Sequence, residues 1–142
     1  MEDTINLLKE CDAGIKMGIE AIDEVIEHVK DKEFKSKLKN YKKDYNFLQD
    51  EIVELLDKYH KEGKDINPIT KGMSKMMTGM KIAFNNNDAT IADLMFDGCN
   101  MGVKSLNKYL NEYENASDES KELAKKLIRL MDNQEFDIRK YL

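Results

Sequence analysis

Apolar residues recur every three or four positions along most of this chain, which is the period of one face of an α-helix. The most regular stretch lies between Lys32 and about Glu62, where the apolar spacing alternates between four and three. Its apolar members are Phe34, Leu38, Tyr41, Tyr45, Leu48, Ile52, Leu55 and Tyr59. This pattern predicts a long helix that packs along a continuous seam, as the helices of a bundle do.

The same period predicts three further long helices, over Thr4 to Val29, over Ala89 to about Glu114, and from Ser117 to the end of the chain. Asp31, Asp88 and Ser117 each stand just before a periodic stretch. Side chains of this kind cap helix N-termini, because their oxygens accept hydrogen bonds from backbone N–H groups that have no partner within the helix. We therefore expect these three residues to be N-caps.

A shorter fifth helix is predicted between the second and third long helices. Asn67 followed by Pro68 marks its start, since proline at the first helical position loses no hydrogen bond, and it ends near Phe84. One face carries Ile69, Met73, Met76 and Met80. Methionine is flexible and fills gaps, so the main interpretation is packing of this helix against the bundle. The alternatives are a soft metal such as Cu(I) or a hydrophobic ligand.

The lengths of the connections predict how the helices are arranged. Turns near residues 31 and 116 are very short and produce antiparallel helical hairpins, whereas residues 63 to 88 form a long connection that is itself partly helical. Two hairpins joined by one long crossover have the connectivity of ferritin-like folds. The expected fold is therefore an all-α, ferritin-like four-helix bundle that occupies residues 1–142 as a single domain.

Composition narrows the choice of partner and compartment. The net charge is −5 with acids and bases interspersed, which argues against nucleic acid, and "KSKLKNYKKD" is expected to be a solvated face. No continuous apolar stretch reaches the roughly 20 residues of a membrane span, and the acidic start "MEDTINLLKECD" is unlike a signal peptide. Cys11 and Cys99 show no CxxC spacing, so reduced thiols and a cytoplasmic location are expected.

Four segments carry a resemblance to a known family: "INLLKECDAGIKMGIEA", "FLQDEI", "NNNDATIADLMFDG" and "EFDIRKYL". With them, nearly the whole chain resembles a short bacterial ferritin-like domain family that is labelled only as a domain of unknown function. The resemblance implies a ferritin-like bundle and no established activity. Ferritin-like proteins with a two-metal site use a Glu from each of two helices and a Glu-x-x-His from each of the other two.

That ligand set is largely missing here. Counting about 16 residues from the short turns puts the bundle midpoints near Ile15, Leu48, Cys99 and Met131 to Gln134. No Glu-x-x-His lies near a midpoint. The family pattern, laid onto this sequence, places Cys99 where a glutamate is more usual and Glu135 where a histidine is more usual. These departures suggest a degenerate metal site.

Four carboxylates remain as candidate metal ligands: Asp12, Glu51, Asp132 and Glu135. Glu51 matches the position of the second-helix carboxylate, and Asp132 stands three residues before Glu135. Asp12 and Glu51 are expected at the same height, with solvated positions at the bundle margin as the alternative. Gln134 interrupts the apolar stripe of the last helix, and we expect its amide to hydrogen-bond to Tyr45 or another buried polar group.

The sequence therefore predicts a non-catalytic, degenerate ferritin-like protein with a binding or assembly role, and homodimer formation stays open. No catalytic residue, cofactor or ligand is assigned. The alternative is a di-metal oxidoreductase or metal-storage protein that binds iron or manganese through the four carboxylates. A further alternative is a lipid or hydrophobic-ligand binder that uses the methionine-rich crossover helix.

Overall fold

The computed structural model describes residues 1–59, 61 and 87–142, and all regular structure in these ranges is helical. The first helix, α1 (Glu2–Val25), continues into a 3-10 turn at Ile26–His28, and α2 follows over Lys32–Lys58. The second pair comprises α3 (Asp88–Glu112) and α4 (Asp118–Ile138), which ends in a 3-10 turn at Arg139–Tyr141. The predicted all-α class is confirmed for these ranges. The second helix ends at Lys58, before the predicted end near Glu62. The predicted fifth helix with its methionine face lies outside the described ranges.

Two of the three predicted N-caps are confirmed. Asp31 Oδ1 accepts a hydrogen bond from Phe34 N at 2.8 Å, and Ser117 Oγ accepts one from Ser120 N at 3.2 Å. The third prediction was wrong by one residue. Asn87 caps α3, and its Oδ1 accepts from Thr90 N at 2.8 Å.

Asp88, the first residue of α3, instead joins the two hairpins. Its Oδ1 accepts a hydrogen bond from Lys30 N and its Oδ2 accepts one from Asp31 N, both at 2.8 Å. These two N–H groups belong to the turn between α1 and α2. One carboxylate therefore holds the start of α3 against the turn of the other hairpin.

Hydrogen bonds at the opposite end of the bundle establish the helix directions. Thr4 Oγ1 accepts from Ser117 N at 2.8 Å, and Asp3 Oδ2 accepts from Asn115 N at 3.1 Å. The start of α1 thus lies beside the end of α3, so these two helices are antiparallel. Within the described ranges α1 packs against α2, α3 and α4, and α4 also packs against α2 and α3. The four helices form a bundle in which α1 and α4 are parallel and meet across its diagonal.

The predicted apolar stripes form the core between the four helices. On α2 every predicted member is buried except Tyr59, which is half-buried at the helix end. Phe34 stacks on Tyr141, with ring centroids 4.3 Å apart, and this contact closes the end of the bundle where α4 terminates. Charged side chains occupy the outer faces, and no helix in the described ranges has the length and apolarity needed to cross a bilayer.

We expect Asp88→Ala to lower the free energy of unfolding by about 1–2 kcal/mol, because two backbone N–H groups lose a charged acceptor. Asp97→Ala is the matched control, since Asp97 is an exposed carboxylate on the same helix. Urea denaturation of both variants measures the difference. Equal stability losses would show that the Asp88 hydrogen bonds contribute nothing specific.

Candidate functional site

A buried hydrogen bond crosses the middle of the bundle between α2 and α4. Tyr45 Oη donates to Gln134 Oε1 at 2.6 Å, and each residue is only 1% exposed. This contact explains the polar interruption in the apolar stripe of α4. The predicted partnership between Gln134 and Tyr45 is confirmed.

Two glycines make room for large side chains at this height. A Cβ on Gly18 of α1 would lie 3.4 Å from Cζ of the Tyr45 ring. A Cβ on Gly102 of α3 would lie 2.6 Å from Met131 Sδ, closer than real side-chain atoms approach. The Tyr45 ring thus packs directly on Gly18, and the Met131 thioether occupies space that a side chain at position 102 would take.

A second tyrosine pairs with α4 one turn away. Tyr41 Oη donates to Asp137 Oδ2. The pKa of Tyr41 lies well above its usual value, mainly because of burial and secondly because of the hydrogen bond to Asp137. The pKa of Tyr45 is also raised, mainly by burial and to a smaller extent by the nearby Cys99. Both phenols stay protonated at neutral pH and serve as donors.

The two cysteines are buried, protonated thiols. Burial raises the pKa of Cys99 to about 12, with smaller contributions from the charges of Glu135 and Asp132. Burial likewise raises the pKa of Cys11 to about 12, assisted by the charges of Glu10 and Asp12. A thiol with such a pKa is a poor nucleophile and a poor metal ligand at neutral pH, because both roles require the thiolate.

The candidate carboxylates of α4 lie beside Cys99, but they face different surroundings. Glu135 is half-buried. With the Asn100 amide oriented so that its nitrogen faces this carboxylate, Asn100 Nδ2 donates to Glu135 Oε2 at 2.6 Å and to Oε1 at 3.1 Å. Asp132 is exposed to solvent. Only Glu135 is therefore held by a specific hydrogen-bond partner.

Asp12 lies in the core. It is 0% exposed, so the alternative of a solvated position at the bundle margin is wrong for this residue. Lys16 Nζ lies 2.8 Å from Oδ2, and Gln49 Nε2 donates to Oδ1 at 3.3 Å. Asp12 Oδ2 accepts no hydrogen bond of good geometry, so Lys16 stabilises the carboxylate through its charge. The spacing of four between Asp12 and Lys16 was a signal that sequence reasoning missed.

Glu51 is about one-third exposed and pairs with another lysine. Lys126 Nζ on α4 lies 3.5 Å from Glu51 Oε2. Asp12 and Glu51 thus have separate cationic partners. The carboxylates near Cys99 are Glu135 and Asp132 of α4. Among residues 1–59, 61 and 87–142, no group of three or more His, Cys, Asp or Glu side chains is arranged to hold a metal ion.

One open cleft of about 380 Å³ lies between α2 and α4, beside the Tyr41–Asp137 pair. Its lining is polar except for Leu130 and consists of Lys37, Asn40, Tyr41, Asp44, Leu130, Asn133 and Asp137. Its lining combines charges of both signs with amide groups. A small polar molecule is the class of ligand that such a lining could accept.

We expect Tyr45→Phe to destabilise the protein by about 1–3 kcal/mol, because the buried Gln134 oxygen loses its donor. The double variant Tyr45→Phe/Gln134→Leu should recover most of that loss, since neither polar group remains buried without a partner. A double-mutant cycle from urea unfolding measures the coupling. Additive losses would contradict a direct interaction.

The raised thiol pKa values predict a dependence of stability on alkaline pH. The folded state holds both protons up to about pH 12, whereas a thiol with its ordinary value of 9.0 releases its proton earlier. The unfolded state then binds fewer protons than the folded one, so the free energy of unfolding falls as pH rises above about 9. Removing both thiols in Cys11→Ala/Cys99→Ala should flatten the fall between about pH 9 and 10. An unchanged slope would show that these thiols do not titrate as proposed.

Comparisons of the chain with family models, with curated proteins and with solved structures find no match. The likeness to ferritin-like proteins therefore stays a resemblance carried by sequence segments. Any functional conclusion has to come from the side chains described above. Among these, the Tyr45–Gln134 bond lies close to the predicted midpoints of the second and last helices, Leu48 and Met131 to Gln134.

Proposed function

We propose that this chain is a non-catalytic ferritin-like bundle with a long crossover between α2 and α3, and that it acts as a small binding or assembly protein. The observation that carries the proposal is the Tyr45–Gln134 hydrogen bond in the middle of the core. The position at which ferritin-like proteins hold their metals is filled there by a phenol, an amide and apolar side chains. We further propose a cytoplasmic location, in keeping with the unpaired thiols of Cys11 and Cys99.

The placement of the helix ends supports the crossover. Asp88 at the start of α3 bonds to the backbone at Lys30 and Asp31, beside the start of α2. The end of α2 at Lys58 lies about 40 Å away, since 27 helical residues each rise about 1.5 Å. The two residues that the connection joins thus lie at opposite ends of the bundle, which supports a long crossover.

The charge partners of the candidate ligands favour a packed protein over a metal enzyme. Lys16 neutralises Asp12, Lys126 lies beside Glu51, and Asn100 is placed to satisfy Glu135. A metal would have to displace or rearrange these partners. Carboxylates of two-metal sites, by contrast, depend on the cations to offset their mutual repulsion.

The test is metal analysis of the full chain after aerobic purification with added iron or manganese. We expect less than about 0.1 metal ion per chain, and the same result for Glu51→Ala, because the carboxylates already have partners within the protein. Circular dichroism verifies that both proteins are folded. Near-stoichiometric metal that is lost in Glu51→Ala would overturn the proposal in favour of the di-metal alternative.

A further inference from the structure

The outer face of α2 carries a second regular pattern, on the side opposite the buried stripe. Its residues are all exposed and are again spaced by three or four positions. We call this set the outer stripe, and it consists of Lys39, Lys43, Phe47, Asp50, Glu54 and Asp57. Such spacing along one helical face is the pattern of a surface on which another helix can pack.

The charged residues of the outer stripe change sign at Phe47. Both lysines precede it and all three acids follow it. Like charges four residues apart on a helix repel, as Lys39 and Lys43 do, and as Asp50 and Glu54 do. In the described part of the chain no ion pair or hydrogen bond compensates these five charged side chains. Among the described residues, the arrangement is therefore unfavourable.

The ends of α2 themselves suit the helix dipole, with Glu33 in the first turn and Lys58 in the last. The imbalance is therefore a property of the outer stripe. An antiparallel helix beside α2 would place charges of opposite sign next to each half of this stripe.

We propose that a second copy of this chain docks its α2 against the first, antiparallel, about a two-fold axis at Phe47. Lys43 and Asp50 lie four and three positions from Phe47, and Lys39 and Glu54 lie eight and seven positions from it. Two-fold symmetry therefore brings the lysines of each copy level with the acids of the other. This inference specifies the assembly role proposed above and rests on it.

Phe47 supplies the apolar centre of this interface. Its side chain is 69% exposed in the single chain, and at the two-fold axis it would meet its counterpart in the second copy. A polyanion such as nucleic acid would match only the lysine half of the outer stripe, and the acids would repel it. A parallel copy would place like charges together. The charge pattern therefore selects an antiparallel second copy.

Sedimentation velocity of charge variants tests the proposal directly. The wild-type chain should form a dimer whose dissociation constant rises at least about tenfold between 50 and 500 mM salt, because exposed charge pairs are screened. Lys39→Glu/Lys43→Glu should be monomeric, as should Asp50→Lys/Glu54→Lys. An equimolar mixture of the two variants should dimerise again, since each acidic stripe then faces a basic one.

Lys104→Glu/Lys108→Glu is the matched control, because it makes the same charge change at exposed positions of α3. This variant should dimerise like the wild type. A wild-type chain that stays monomeric up to about 0.5 mM at low salt would overturn the proposal. So would a dimer that survives both outer-stripe variants, or folded variants that fail to pair when mixed.

Disulfide trapping tests the position of the axis. Phe47→Cys should form a covalent dimer under mild oxidation, because the two new thiols face each other across the axis. Met101→Cys is the control, since Met101 is also 69% exposed but lies on α3. Equal trapping of both variants would contradict the axis. These tests concern the outer surface and the metal analysis concerns the interior, so the failure of one is distinguishable from the failure of the other.

Discussion

A buried amide must find a hydrogen-bond partner, and this constraint organises the middle of the bundle. Gln134 meets it through Tyr45, which places a large ring from α2 across the core towards α1 and α4. The ring packs on the backbone of α1 at Gly18. An apolar residue at 134 could pack in several registers, whereas one hydrogen bond of 2.6 Å fixes the height of α4 relative to α2.

The sequence predicted the parts of the structure that depend on local rules. The three- and four-residue period located the four long helices, because an amphipathic helix must bury one face. Asp31 and Ser117 were recognisable as caps because their side-chain oxygens can accept hydrogen bonds from the unpaired N–H groups at a helix start. The Tyr45–Gln134 pair was predictable because a buried amide needs a hydrogen-bond partner, and Tyr45 carries a hydroxyl on the apolar seam of α2.

Long-range geometry was harder to predict. Asn87 and Asp88 are both suitable N-cap residues. Asn87 caps α3, and Asp88 instead accepts a hydrogen bond from Lys30 N because the turn between α1 and α2 lies beside it. The burial of Asp12 depends on how α2 packs over it, which helical period alone does not specify. The candidate carboxylates were identified by type, but their separate partners, such as Lys126 for Glu51, follow from side-chain positions that only the folded bundle defines.

The Asp12–Lys16 pair has a consequence for how the core is assembled. Both residues belong to α1 and are one turn apart, so the ion pair can form as soon as that helix forms. The helix then carries its own counter-ion into the core, and the carboxylate does not depend on a charge from another helix. Neighbouring helices need only supply polar contacts such as Gln49. The charge balance of Asp12 is thus a local property of α1, whereas its burial depends on the helix that packs over it.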